Sequence, residues 1–143
     1  MLGGPPLEPP PGMHTLPTDS VKQASSRFIN SAHLRIHPHF VAKLAGFDAL
    51  SADDPRNEMN LSARFELHVA PDGAVAELRL LRSSGVEDFD RAVLESVRSA
   101  APFEAPPTEL LSADRRVHVR WDFARDGVFA CSPMYTALFL FAP

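Results

Sequence analysis

Three neighbouring histidines are the first residues in this chain whose types and spacing suggest chemistry. His33 and His37 are four apart and His39 follows two later, so the first two would share one face of a helix and could hold two positions on a zinc ion. Two features count against that. Pro38, directly after His37, is expected to disrupt the helix, and no cysteine or carboxylate stands near enough in sequence to complete the set. A solvated helix end is the simpler reading, and no metal or cofactor is expected. Cys131, the single cysteine, cannot form an intrachain disulfide and reads as a buried small hydrophobe in preference to a functional thiol. Serines, histidines and aspartates occur, but no G-x-S-x-G elbow does, so a hydrolytic triad is not indicated. Ser83-Ser84-Gly85 could offer backbone N–H groups to an anion; it lacks a phosphate binder's lysine and glycine-rich loop, and helix capping accounts for it. Trp121, amid alternating valines, reads as core.

A length of 143 residues leaves room for one domain with a core, plus tails. The apolar share of 45% and charged share of 22% are those of an ordinary globular protein. A net charge of −4 argues against nucleic acid or an anionic membrane as the main partner, since both reward a basic surface. No run approaches the ~18 apolar residues of a spanning helix, and the first residues lack a signal peptide's basic start and apolar stretch. The chain is therefore expected to be soluble, or a part separated from its targeting segment.

The elements that must position these residues are organised around 61–101. Ala63, Phe65, Leu67 and Val69 alternate with Arg64, Glu66 and His68, the period of a strand with one buried face. Pro71-Asp72-Gly73 supplies a tight reversal. On the return run, Ala76, Leu78 and Leu80 oppose Glu77 and Arg79. After Ser83-Ser84-Gly85 the period becomes helical, through Val86, Phe89, Ala92, Val93, Val97 and Ala100, until Pro102 ends it. Upstream, Thr18-Asp19-Ser20 caps a helix expected over 19–36; a second short helix carrying Phe40, Val41 and Leu44 should follow Pro38 and close at Gly46. A third strand is expected over 115–124, with Val117, Val119, Trp121 and Phe123 inward and His118, Arg120 and Asp122 outward. The apolar tail 128–143 should pack on the domain or add a strand. Residues 1–17, with six prolines at 5, 6, 9, 10, 11 and 17, read as a flexible linker, which at ~3.1 Å per residue reaches roughly 50 Å. The domain is thus 18–143 with its core in 61–126. Its class is α+β: a small antiparallel three-stranded sheet, with room for an extra C-terminal strand, on two or three helices.

Phe65 to Val69, Asp72-Gly73-x-Val75, Ser83-Ser84-Gly85, Phe89-Asp90-x-Ala92 and Ala101-Pro102-Phe103-x-x-Pro106 follow one another in an order and spacing that resembles the C-terminal domain of the TonB/TolA energy transducers. The resemblance covers 63–124. It departs in lacking a Tyr-Pro before the first strand, where Arg35-Ile36-His37-Pro38 stands, and in adding a long N-terminal helical segment and an apolar tail. It implies a non-enzymatic periplasmic interaction domain of a protein anchored in the inner membrane of a Gram-negative bacterium, reached through a proline-rich linker. The implied partners are an outer-membrane or periplasmic protein, bound as an extended peptide, and an inner-membrane proton-driven motor complex reached through an N-terminal anchor. Nucleic acid is not among them, and a homodimer formed by strand exchange is compatible. The implied site is the edge of the last strand: Arg116, Val117, His118, Val119, Arg120, Trp121, Asp122 and Phe123. About four to six backbone hydrogen bonds at ~1 kcal/mol net each would there be largely offset by ordering the peptide. Two other readings stand beside this one: a TolA-like structural linker of a secretion or motility machine, and a small soluble enzyme or ligand-binding domain.

Overall fold

The computed structural model of the protein describes residues 6–141, and residues 1–5 of the expected linker and 142–143 of the tail lie outside them. The described residues form strands β1 (Met13–His14), β2 (Ser62–Val69), β3 (Val75–Arg82), β4 (Val117–Ala124) and β5 (Thr136–Phe141), with helices α1 (Asp19–Asp48) and α2 (Glu87–Ala100). The strands make one antiparallel sheet in the order β1-β5-β4-β2-β3. The α+β class and the hairpin, α2 and β4 agree with the sequence reading. The sheet, however, has five strands where three, or four with the tail, were expected, because both ends of the chain join it. Met13 and His14, within the stretch read as linker, pair with Phe141 and Leu140 of β5.

Helix α1 differs most from expectation. It was read as two helices broken at Pro38 and closed at Gly46, yet it runs unbroken through both. Thr18 caps it by accepting from the Val21 N–H at 3.2 Å. Ala24, Phe28, Ala32, Ile36, Phe40 and Leu44 are all buried, and their strict spacing of four describes one inclined row across the helix surface. That row continues in phase through Pro38, which lies on the solvent side with His37 and His39. The lost donor at Pro38 orphans a carbonyl near Leu34, which is 72% exposed and within reach of water. The cost of the proline is thus limited, and the apolar row beyond it outweighs it.

The core lies between the two helices and one face of the sheet. Phe40 meets Phe123 at 4.8 Å and Phe89 at 6.2 Å between ring centroids, joining α1, α2 and β4. Phe65, Trp121 and Phe123 pack across β2 and β4. The hairpin turn is locked to the exit of α2. Gly73 has φ +90°, its carbonyl accepts from the Phe103 N–H at 2.8 Å, and a Cβ there would stand 1.9 Å from the Phe103 carbonyl oxygen. Glycine is required twice over, by φ and by the close approach.

Two substitutions probe these points. Gly73→Ala is expected to destabilise the fold by at least about 1–3 kcal/mol, read as a lower denaturant midpoint. Pro38→Ala is expected to raise stability by about 1 kcal/mol or more, because α1 is already helical there; a fall would mean that the proline shapes the helix in a way the core needs.

Candidate partner-binding strand and its surroundings

Strand β4 carries the residues expected to grip a partner, and its period of two assigns them to opposite faces. Val117, Val119, Trp121 and Phe123 are fully buried against the helices. His118, Arg120 and Asp122 point to the other face as expected, and Arg116 precedes the strand, half-buried. The expected edge is not free. On one side β4 pairs with β2 over its full length, Val117 with Val69 through Ala124 with Ser62. On the other, His118, Val119, Arg120 and Trp121 pair with Phe139, Leu138, Ala137 and Thr136 of β5. The reason is the apolar tail: Leu138 and Phe139 gain burial only by joining the sheet, and β4 offered the unpaired backbone. Among the described residues, the sheet order leaves β3 without a strand on its outer side.

The face opposite the helices was read as solvent-facing, yet Arg64, Glu66, His68, His118 and Asp122 are all less than a tenth exposed. Interior strands place long polar side chains between like neighbours, and these lie across one another and exclude water. Arg64 donates to both oxygens of Asp122 at 2.7 and 2.9 Å, a two-pronged cross-strand pair. Glu66 accepts from Arg79 at 2.6 Å and from Arg120 at 3.4 Å. Burial alone would raise the Glu66 carboxyl, but the Arg79 hydrogen bond and charge bring it below its ordinary value. Next along, His118 Nδ1 lies 3.1 Å from His68 Nε2 and His118 Nε2 lies 2.8 Å from Asp114 Oδ2. Burial, and then the neighbouring His118, lower the pKa of His68, with Glu66 and Glu77 opposing. Sequence reading identified the alternation and not this ladder, whose signal is the cross-strand register that brings Arg64 to Asp122 and His68 to His118.

Ser83-Ser84-Gly85 is spoken for internally. Asp90 accepts from the Ser83 hydroxyl and from the Ser84 N–H at 2.9 Å, and the Gly85 and Val86 N–H groups donate to the two serine hydroxyls. The capping reading is thereby corrected: the N-cap of α2 is Val86, which makes no side-chain capping bond, and Asp90 in the first turn holds the loop instead. Arg125, just after β4, is fully buried, donating to the Arg56 carbonyl at 2.9 Å, to Asp48 at 2.5 Å and to Asn57 at 2.7 Å. It fastens the end of β4 to the end of α1.

The third group is that of the histidines. His33 and His37 stand one turn apart on the unbroken α1, and Cys131, from the β4–β5 loop, comes up beside them. Its Sγ is 3.4 Å from His33 Nδ1 and 3.5 Å from His37 Nδ1, and its carbonyl accepts from His33 Nδ1 at 2.9 Å. Both objections raised from sequence fail: Pro38 leaves the helix intact, and a thiol arrives from 94 residues away. Burial pushes the Cys131 thiol up to about 12 and lowers His33, so both are neutral near pH 7. His39 is exposed and outside this cluster.

No helix among the described residues is long and apolar enough to cross a membrane. A family model described as TonB C terminal matches residues 48–123, from the last residue of α1 to the penultimate residue of β4. No curated protein and no solved structure matches the chain.

Acid should destabilise this sheet. With its native pKa lowered, His68 is protonated first in the unfolded chain, so its contribution is constant above about pH 6.5 and falls as pH drops below that. Glu66, also lowered, adds a loss at more acid pH. His68→Gln is expected to flatten the fall in denaturant midpoint between about pH 7 and 5 in part, since His33 is lowered in the same direction. Asp122→Ala, which strands the buried Arg64, is expected to cost about 3–5 kcal/mol.

Proposed function

Because this chain belongs to the TonB C-terminal family, whose domains are periplasmic parts of membrane-anchored energy transducers, we propose that it is a non-enzymatic interaction domain that passes force from an inner-membrane proton-driven motor to an outer-membrane or periplasmic protein. The partner's extended segment binds along Arg116–Phe123 by taking the place of β5. The linker ahead of the domain, rich in prolines, supplies reach across the periplasm.

The observation that carries this mode is the position of β5. It is the last strand of the chain, lies outside the residues matched to the family, and is registered against only 118–121 of β4. It lies between β4 and the two-residue β1, so its exchange also releases the pairing of Met13 and His14. Its departure gives up about four backbone hydrogen bonds to β4 at ~1 kcal/mol each, the burial of Leu138 and Phe139 at ~1.5–3 kcal/mol each, and the short pairing with β1 that covers Met13. An incoming strand with apolar residues at the matching positions, long enough to pair with β1 as well, restores these contacts, so the exchange is near neutral apart from the ordering of the peptide. Such a contact is weak at equilibrium, and it shares a pull across several parallel hydrogen bonds. The same exchange between two copies would give a swapped dimer. A second reading is favoured by the free outer side of β3, where a peptide could add with nothing displaced.

A lock separates the two. Cysteines at the register partners Arg120 and Ala137, oxidised to a disulfide, would hold β5 on β4. Photoreactive side chains at the half-buried Arg116 and at the exposed Ala76 of β3 then report contact in the native envelope. Expected is crosslinking of Arg116 to an extended segment of an outer-membrane or periplasmic protein, identified by mass spectrometry, lost on locking and restored by reduction. Crosslinks from Ala76 that survive the lock would favour the β3 reading. Capture of no envelope protein from either position would sink the force-transducer proposal.

A further inference from the structure

His33, His37 and Cys131 are not used by strand pairing, and 94 or more residues separate the thiol from the two imidazoles in sequence. One donor atom of each lies within 4.8 Å of the others. We propose that these three side chains form a binding site for a zinc-class divalent ion, with a fourth coordination position open to water or to a ligand from outside.

Geometry carries the proposal. In a tetrahedral site with Zn–S of about 2.3 Å and Zn–N of about 2.0–2.1 Å, sulfur and nitrogen ligands stand roughly 3.5 Å apart. The Sγ–Nδ1 separations here are 3.4 and 3.5 Å. The imidazoles are tilted by 53° with centroids 5.1 Å apart, so their edges converge instead of stacking flat. One thiol and two imidazoles suit a borderline-soft ion, and poorly suit magnesium or calcium, which take oxygen. The backbone segments that carry the donors are also held in place before any ion arrives. His33 and His37 are fixed by a helix whose neighbouring Ala32 and Ile36 are buried in the core. The loop carrying Cys131 is tied to β4 on both sides of it: the Ala124 N–H donates to the Ala130 carbonyl at 2.8 Å, and the Trp121 indole N–H to the Ser132 carbonyl at 3.2 Å. Segments held in this way reduce the ordering cost of binding. A cleft bordered by His37, Asp48, Met59 and Ala130 opens beside the site, giving an ion a path and a fourth ligand room.

Proton accounting closes. The thiol proton passes to solvent as the S–metal bond forms. His33 now donates from Nδ1 to the Cys131 carbonyl; to ligate through that atom it gives up this bond and carries its proton on Nε2. Imidazole ligates in its neutral form, so metal binding is expected to weaken as the pH falls. The bound ion would join α1 to the loop that leads into β5, which is independent of whether β5 exchanges.

Cobalt reports on the site directly. The full chain, stripped with chelator and titrated with Co²⁺, should show a thiolate-to-cobalt charge-transfer band and the strong visible bands of a tetrahedral centre, both removed by equimolar Zn²⁺. Cys131→Ser should lose the charge-transfer band. His37→Ala, at an exposed helix position that leaves the core untouched, should weaken Zn²⁺ binding by more than about tenfold and remove the Zn²⁺-dependent rise in melting temperature. His39→Ala should match the wild type. Absence of the thiolate band from the wild type, or Zn²⁺ binding in His37→Ala equal to wild type, would overturn the site and leave a thiol hydrogen-bonded between two imidazoles.

Discussion

Backbone groups taken out of water must find partners, and in this domain that requirement bears hardest on Val117–Ala124. The strand carries Val117, Val119, Trp121 and Phe123 into the core, so it cannot sit anywhere but against the helices. Its amides and carbonyls are met by β2 along its whole length and by β5 over 118–121. The arrangement of the rest follows from this. The helices cover its apolar face, the polar ladder covers the other, and the chain's last strand closes the side that would otherwise be an edge.

Helix α1 shows how packing settles a contest that local preference leaves open. Proline disfavours helix on account of a missing donor and a ring clash, and those penalties apply at Pro38 as anywhere. Against them stand the buried Phe40 and Leu44, whose place in the apolar row depends on the helix continuing in register. Two aromatic or aliphatic side chains at ~1.5–3 kcal/mol each match or exceed the ~3 kcal/mol typical of an interior proline. The same continuity sets His33 and His37 one turn apart, and a broken helix would have separated them.

The ladder of Arg64–Asp122, Glu66 with Arg79 and Arg120, and His68–His118–Asp114 crosses three strands with alternating charge. Buried ion pairs of this kind add little net stability, since desolvation offsets attraction. They do discriminate among registers. A slip of one residue between β2 and β4 would turn the apolar set to the wrong face, and a slip of two would set Arg64 opposite Arg120 or Glu66 opposite Asp122. For a sheet that takes up a tail strand, and is proposed to exchange it, a strongly specified β2–β4 register keeps the remaining pairing in place.

Much of this was legible in the sequence. Period-two alternation marked β2, β3 and β4, the change of period after Gly85 marked α2, and Pro71-Asp72-Gly73 marked the hairpin, because each depends on residues close together in the chain. The order of those pieces was enough to identify the family. What the sequence left undecided depends on contacts between distant residues. Whether the tail covers β4, whether Pro38 breaks α1 and whether Arg64 meets Asp122 are settled by burial and register, which no local pattern encodes. The histidines make the difference plain. Their spacing of four was visible from the start, whereas the third donor, Cys131, reaches them only because β4 turns back beneath α1 and its loop is held there by Ala124 and Trp121. Sequence by itself determined β2, β3, α2, β4 and the family core; tertiary structure alone decided the run of α1, the strands at the two ends, which edge is closed and which side chains meet, since those are free-energy balances summed over the whole fold.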